Sequence, residues 1–132
     1  MSSAITPAAY LEKAKRALTS ARLLLEAEDT EGACNRAYYS MFDAAHAALL
    51  AVGEEIAGDS IKTHAGLIGI FSKQLVQTQR LDASLGRAFN KVQRLRQLGD
   101  YTDQVITLEE TGWAIEQAAA FVQAVAGFIA KL

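Results

Sequence analysis

Proline, cysteine and long apolar runs are scarce in this chain of 132 residues. Proline interrupts helices more strongly than any other residue, and the one proline of the chain is Pro7. The 25 alanines favour helix further. This composition argues against an all-β sandwich or barrel. The single cysteine, Cys34, cannot form an internal disulfide or a multi-cysteine zinc site, which fits a reducing compartment.

The chain also lacks the signals that direct proteins to membranes. No segment approaches the ~18 consecutive apolar residues of a membrane-spanning helix, and the first residues lack the charged and apolar regions of a signal peptide. We therefore expect a cytoplasmic protein with no membrane partner. The length favours one domain that spans residues 1–132.

The charge is nearly balanced overall but is distributed unevenly. Thirteen basic and fifteen acidic residues give a net charge of −2, which argues against a general nucleic-acid coat protein. The segment from Lys62 to Arg96, however, contains seven basic residues and one acid, Asp82. A positive side of this kind suits an anionic ligand or an acidic partner, although an ordinary solvated helix face gives the same pattern.

Apolar periodicity and capping residues predict four long helices and a shorter third one, joined by short connections. The predicted starts are Thr6-Pro7, the cluster Glu28-Asp29-Thr30, Asp59 or Ser60, Asp82, and the capping box Thr107–Glu110. The second helix is alanine-rich, as expected of a central helix, and Cys34 and Trp113 are expected in the core. The fold class is therefore an all-α, up-and-down four-helix bundle with an additional short helix.

Four polar residues of the second helix share one side, away from its apolar stripe. At 100° per residue, Arg36, Tyr39, Asp43 and His46 fall within about 80° of one another. They combine a cation, a phenol, an acid and a group that titrates near neutrality. We interpret them as candidate ligand-binding residues, with a solvated helix face as the alternative.

The fourth helix carries two kinds of basic residue. Arg87, Lys91 and Arg94 share one face, which Arg80 joins if the helix begins early enough. Arg96 points instead to the apolar side, where a cation is costly to bury without an anion. Its partner is expected to be Asp43, Asp100 or an acid of a second subunit, and the alternative is an arginine that extends along the helix end to solvent.

Several familiar sites are missing from the sequence. Its two histidines, His46 and His64, lie in no Glu-x-x-His spacing, and neither a Walker loop nor a Gly-x-Gly-x-x-Gly motif occurs. We therefore expect no metal site and no cofactor.

Three segments together carry a resemblance to a known family. They are Asn35-Arg36-Ala-Tyr-Tyr39 on the second helix, Lys62-x-His64-x-Gly66 at the third, and Arg94-Leu-Arg96-Gln-Leu-Gly-Asp100-Tyr101 at the end of the fourth. In this order they resemble the HEPN family, the higher eukaryotes and prokaryotes nucleotide-binding domain. The likeness is to its small stand-alone prokaryotic members, which end the fourth helix in an Arg-x-x-Ala-Asp-Tyr-like segment.

The resemblance implies a homodimeric bundle that pairs with a minimal nucleotidyltransferase, in many cases as toxin and antitoxin. Ribonuclease members carry Arg-x(4–6)-His, but here no histidine follows His64, and Gly99 or Tyr101 stands in its place. A tyrosine with an ordinary pKa of about 10 is a poor general base. The resemblance also marks Tyr101 as a position to which such a partner transfers AMP.

We interpret the protein as a nucleotide- or RNA-binding bundle without efficient catalysis and leave its catalytic residues unassigned. Binding is expected at Arg36, Arg94, Arg96 and Tyr101, or these residues are presented to the nucleotidyltransferase. One alternative is a metal-independent RNase toxin with an atypical site. The other is an interaction bundle whose basic face docks an acidic protein.

The sequence predicts a homodimer, because so small a domain gains stability from association. Light scattering at tens of micromolar protein should give twice the mass of one chain. A particle that stays monomeric under those conditions would contradict this prediction.

Overall fold

The computed structural model describes residues 6–53, 63–101, 103 and 105–132, which form five α-helices. They are α1 (Pro7–Glu26), α2 (Thr30–Ala51), α3 (His64–Phe71), α4 (Ala83–Gly99) and α5 (Leu108–Ala130). A single π-helical turn, Ser72–Val76, continues α3. The described ranges contain no strand. The all-α bundle with an additional short helix is therefore confirmed.

Side-chain caps begin four helices where the sequence predicts them. The Thr6 hydroxyl accepts a hydrogen bond from the Ala9 amide, and the Asp29 carboxylate accepts one from Gly32. Asp82 begins α4 in the same manner. Thr107 and Glu110 form the reciprocal capping box of α5. Each cap satisfies an amide that the first turn of a helix leaves without a partner.

The start of α3 differs from the prediction. The Thr63 hydroxyl accepts a hydrogen bond from the Gly66 amide at 2.9 Å, so the helix begins at His64. The predicted caps, Asp59 and Ser60, lie outside the described residues. His64 is consequently the first residue of α3, at the end of the helix that adjoins α2.

Helix α2 is the central helix of the bundle, as predicted. It contacts α1, α3, α4 and α5. Small side chains let these neighbours approach its backbone closely. Fully buried alanines occur around much of its circumference, at positions 33, 37, 44, 45, 47 and 48.

Three phenylalanines join the helices that surround α2. Phe121 of α5 lies 5.2 Å from both Phe71 of α3 and Phe89 of α4, measured between ring centroids. Phe71 and Phe89 are themselves 5.8 Å apart with their planes nearly perpendicular. This cluster fixes α3 and α4 against the α5 side of the core.

Helix α5 has one buried face and one exposed face. Ala120 is exposed, and Leu132 lies beyond the helix with 65% of its surface accessible. At 100° per residue Ala120 lies about 200° from Ala118 and Val122, which do face the core. Trp113, expected in the core, is only half-buried. The buried face consists of Thr111, Ala114, Ile115, Ala118, Phe121, Val122 and Val125.

Gly99 is the last residue of α4 and lies within the helix. Among the described glycines, the one with a positive φ is Gly53, at 86°. A small residue is nonetheless needed at position 99. A Cβ atom there would lie 2.8 Å from Ile106 Cδ1 and 3.4 Å from Glu31 Cγ. Close packing therefore explains the glycine.

Helix α5 is long and apolar enough to cross a membrane by length and composition alone, with a mean hydropathy of 1.3. Glu116 and Gln117 lie among its apolar residues, so the helix contains no unbroken apolar run of ~18 residues. The core helix of a bundle also meets this criterion, and one side of α5 packs in the core.

The phenylalanine cluster should be the part of the core most sensitive to truncation. Replacing Phe121 with Ala should lower the free energy of unfolding by about 3–5 kcal/mol, because a large buried side chain is lost and a cavity remains. Leu23→Ala is the control, since Leu23 is 61% exposed. Urea unfolding of both variants tests this. Equal small losses would show that Phe121 is not part of a closely packed core.

Candidate functional site

Arg96 of α4 lies against two aromatic rings of α2. Its guanidinium carbon is 4.7 Å from the ring centroid of Tyr38 and 6.0 Å from that of Tyr39. Its Nε donates a hydrogen bond to Gln93 Oε1 at 3.1 Å. The side chain is 16% exposed, so Arg96 occupies the apolar side of α4 as predicted. Aromatic faces attract a cation at this distance and offset part of its burial.

Among the described residues, the carboxylate paired with Arg96 is that of Asp100, one of the predicted partners. Arg96 Nη1 and Asp100 Oδ2 are 3.9 Å apart, and the Asp100 side chain is 67% exposed. Ion pairs of this length and exposure contribute little to stability. A ligand anion with better geometry can therefore replace Asp100 at the guanidinium.

His64 of α3 lies against the same two tyrosines and was not among the predicted site residues. Its ring stacks on Tyr38 with centroids 5.4 Å apart and planes 19° apart, and its edge meets Tyr39. His64 Nε2 lies 3.5 Å from the Tyr39 hydroxyl. A third ring, Phe42, is 4.9 Å away. We call Tyr38, Tyr39, His64 and Arg96 the α2–α4 cluster.

The surroundings of His64 favour its neutral form. Burial lowers the pKa of its imidazole, and the positive charge of Arg96 lowers it further. His64 Nδ1 is buried and has no hydrogen-bond partner among the described residues. A neutral imidazole near a guanidinium can accept a proton at neutral pH. The site thus has a histidine near Arg96, although α4 itself supplies none.

The ring of Tyr38 contacts both Arg96 and His64 in the α2–α4 cluster, and its phenol stays protonated. Burial raises the pKa of its phenol well above the ordinary range, and the charge of Arg96 opposes this only in part. Its hydroxyl is buried without a hydrogen-bond partner in the described part of the chain. Tyr38 is therefore a neutral aromatic surface for the cation and the imidazole.

The four polar residues predicted on one side of α2 do not form a single solvated face. All four are half-buried, because neighbouring helices cover α2 on most sides. His46 stacks on Tyr10 of α1 with centroids 4.6 Å apart, and burial lowers its pKa. His46 therefore belongs to the α1–α2 packing, whereas Arg36 lies over the Tyr39 ring at 5.2 Å.

Asp43 is not the partner of Arg96. It lies between α1 and α2, where burial raises the pKa of its carboxyl and the charges of Lys13, Arg36 and Arg16 oppose that rise. The Arg36 and Asp43 side chains line a cleft of about 550 Å³ between these helices.

Tyr101, one of the expected binding residues, does not lie against Arg96. It is 66% exposed, and the rings that Arg96 faces are those of Tyr38 and Tyr39. Asp100 keeps right-handed helical angles after Gly99, so the helical turn continues and Tyr101 lies on the outside. Tyr101 still follows the end of α4, as expected, and is accessible to another protein.

The predicted basic face of α4 is solvated. Arg87, Lys91 and Arg94 are all exposed, and Arg80 lies before the helix starts and does not join them. Lys91 and Arg94 border a groove of about 460 Å³ between α4 and α5, together with the half-buried Trp113. This face lies on a different side of α4 from Arg96.

Across the described ranges, no three His, Cys, Asp or Glu side chains are grouped so that they could hold a metal ion. Cys34 is fully buried, and burial raises the pKa of its thiol to about 11. Its interpretation as a core residue is confirmed.

The chain is similar to known proteins over most of its length. The sequence model of the HEPN domain matches residues 8–128. A UPF0332 protein of Thermotoga maritima is 34% identical over 93% of this chain and 90% of the relative. Two candidate toxins of Methanocaldococcus jannaschii are 32% and 34% identical over 85% and 86% of this chain, covering 74% and 81% of the relatives.

The coupling between Arg96 and His64 can be measured from the imidazole pKa. In the wild type, NMR titration should give His64 a pKa below the ordinary value of about 6.5. Arg96→Gln should raise it, since a nearby positive charge is removed. Arg94→Gln, which removes an exposed charge of the same helix, should not.

The lowered pKa of His64 determines the direction in which the stability of the protein changes with pH. Because the folded pKa lies below the unfolded one, the unfolded chain takes up the proton first, and stability falls as the pH drops below about 6.5. A His64 pKa that is unchanged in Arg96→Gln would show that the two side chains do not interact.

Proposed function

The chain belongs to the HEPN domain family. On that premise, we propose that it is a toxin-related protein. We propose further that it binds the phosphates of a nucleotide or RNA at Arg96. The observation that carries this proposal is the state of the Arg96 guanidinium. It lies against two tyrosine rings and is largely removed from water, and among the described residues its counter-charge is a distant, exposed carboxylate. Such a cation is better satisfied by a phosphate that accepts two hydrogen bonds.

The neighbours of Arg96 suit a nucleotide ligand. Tyr39 is half-buried and presents a ring and a hydroxyl beside His64. Rings of this kind contact bases or ribose while an arginine holds the phosphate. The exposed cations Arg87, Lys91 and Arg94 are proposed to add sequence-independent contacts to a longer RNA.

We further propose that the protein works as a homodimer in the cytoplasm with a minimal nucleotidyltransferase, as a toxin–antitoxin-like pair. The resemblance of its motifs to stand-alone HEPN proteins supports this pairing, as do the names of the two relatives described as candidate toxins. Tyr101 is exposed and available to such a partner enzyme. The packing of one side of α5 into the core supports a protein that works in water rather than in a membrane.

In this first proposal the protein binds without efficient catalysis, because α4 lacks the histidine of the Arg-x(4–6)-His motif. Its effect on the cell would then come from the bound RNA or from the partner enzyme.

A second candidate function is metal-independent RNA cleavage, and the position of His64 favours it. His64 Nε2, neutral at pH 7, would accept the proton of a ribose 2′-hydroxyl, and that oxygen would attack the adjacent phosphorus. The bond to the 5′-oxygen would break, and water would protonate the leaving oxygen. Arg96 would stabilise the negative charge that develops on the phosphoryl oxygens.

Arg96 should determine the affinity for RNA. Fluorescence anisotropy with a short single-stranded RNA should show that Arg96→Gln weakens binding by ~10-fold or more, the effect of losing a charge-assisted hydrogen bond. Arg22→Gln is the matched control, because Arg22 is an exposed arginine of α1. Equal binding by wild type and Arg96→Gln would contradict the proposed function.

An RNA cleavage assay with the wild type and a His64→Gln variant separates the two candidate functions. RNA that stays intact with wild-type protein supports binding without cleavage. RNA that is cleaved by the wild type, but not by a His64→Gln variant that still binds, replaces the first candidate with the second.

A further inference from the structure

The groove between α4 and α5 is lined by charges of both signs. Lys91 and Arg94 come from α4, and Glu109 and Glu110 come from α5, so cations line one wall and acids line the other. The volume of about 460 Å³ is within the range of small-molecule sites. The remaining lining residues are the apolar Leu95, Leu98 and Trp113.

The apolar part of this groove is accessible to solvent. Leu98 is 42% exposed, and Leu95 and Trp113 are half-buried. An apolar group of a ligand that covers these side chains removes surface on both molecules from water, which favours binding. The groove therefore offers an apolar surface between two charged walls.

The charges of the two walls do not neutralise each other. Among the described residues, no carboxylate oxygen lies within 4.0 Å of the side-chain nitrogens of Lys91 or Arg94. Glu110 Oε1 is held in the capping box, where it accepts hydrogen bonds from the Thr107 amide and hydroxyl at 3.0 Å. Glu109 is exposed and forms no ion pair in the described part of the chain. Glu109 is thus the acid of the groove that a ligand can contact most easily.

We propose that the α4–α5 groove binds an α-amino acid with a large apolar side chain. Its carboxylate contacts Arg94, which offers two parallel N–H donors, and its ammonium group contacts Glu109. Its side chain packs on Leu98 and Trp113. Opposite charges on the two walls favour a ligand that carries both signs, because a purely anionic or purely cationic ligand meets a like charge on one wall.

The dimensions of the groove suit a ligand of this size. Packed helices lie about 8–10 Å apart, and the long side chains of Arg94 and Glu109 extend from both of them. Their charged ends can therefore reach the two charges of one small molecule.

The groove lies on a different side of α4 from Arg96, so the inference does not rest on the proposed function. Loss of RNA binding at Arg96 would leave the groove unchanged. Binding of an amino acid requires neither His64 nor the tyrosines of the α2–α4 cluster.

Trp113 is the one tryptophan of the chain, so its fluorescence reports on the groove directly. Titration of the full chain with L-phenylalanine should change this fluorescence until it saturates. Phenethylamine lacks the carboxylate, and 3-phenylpropanoate lacks the ammonium group. Each should bind about 5-fold more weakly than L-phenylalanine, the effect of losing one solvent-exposed charged contact. Glycine, which lacks the apolar side chain, should cause no change.

Three variants assign the two charged contacts. Arg94→Gln should weaken L-phenylalanine and 3-phenylpropanoate by about 5-fold but should not weaken phenethylamine, which has no carboxylate. Glu109→Gln should weaken L-phenylalanine and phenethylamine but not 3-phenylpropanoate. Arg22→Gln, which removes an exposed arginine outside the groove, should match the wild type with all three ligands. All three substituted side chains are exposed, so the variants should fold.

Three results would overturn the inference. The first is Trp113 fluorescence that L-phenylalanine leaves unchanged, whether or not NMR detects binding elsewhere on the chain. The second is equal affinity for L-phenylalanine and its two analogues, which would show that the groove does not distinguish charge. The third is an Arg94→Gln variant that weakens all three ligands equally, because a carboxylate contact cannot affect phenethylamine.

Discussion

The close approach of four helices to α2 is the constraint on which the rest of the structure depends. Alanines make this approach feasible, and the few large side chains of α2 must then fill the spaces between its neighbours. Tyr38, Tyr39 and Phe42 do so. Their rings provide the surface on which Arg96 of α4 and His64 of α3 meet, so the site is a direct consequence of how the core is packed.

Two groups of polar side chains with different chemistry lie near Tyr39. On the α3 and α4 side, an arginine and a neutral histidine lie together against aromatic rings. On the α1 side, three cations surround a half-buried carboxylate in an open cleft. The first arrangement suits contact with one phosphate and with a titrating group. Both place positive charge where a folded protein gains little from it without an anion.

Local signals in the sequence predict much of the fold and part of the site. Helix starts at Thr6, Asp29, Asp82 and Thr107 depend on hydrogen bonds within one turn, and the orientation of Arg96 depends only on helical periodicity. The meeting of Arg96 with His64 was not predictable from spacing, because the two residues are 32 positions apart and tertiary packing brings them together. For the same reason, periodicity does not indicate that Tyr10 covers part of His46 or that Tyr101 lies on the outside.

The central claim is that a phosphate ligand binds at Arg96, beside His64. Side-chain NMR during titration with a short single-stranded RNA tests it most directly, because the Arg96 Nε signal and the His64 ring signals are observed separately. The account predicts that both change with the same saturation curve, while the Arg22 Nε signal does not change. Saturation of the protein with RNA while the Arg96 and His64 signals remain unchanged would contradict it.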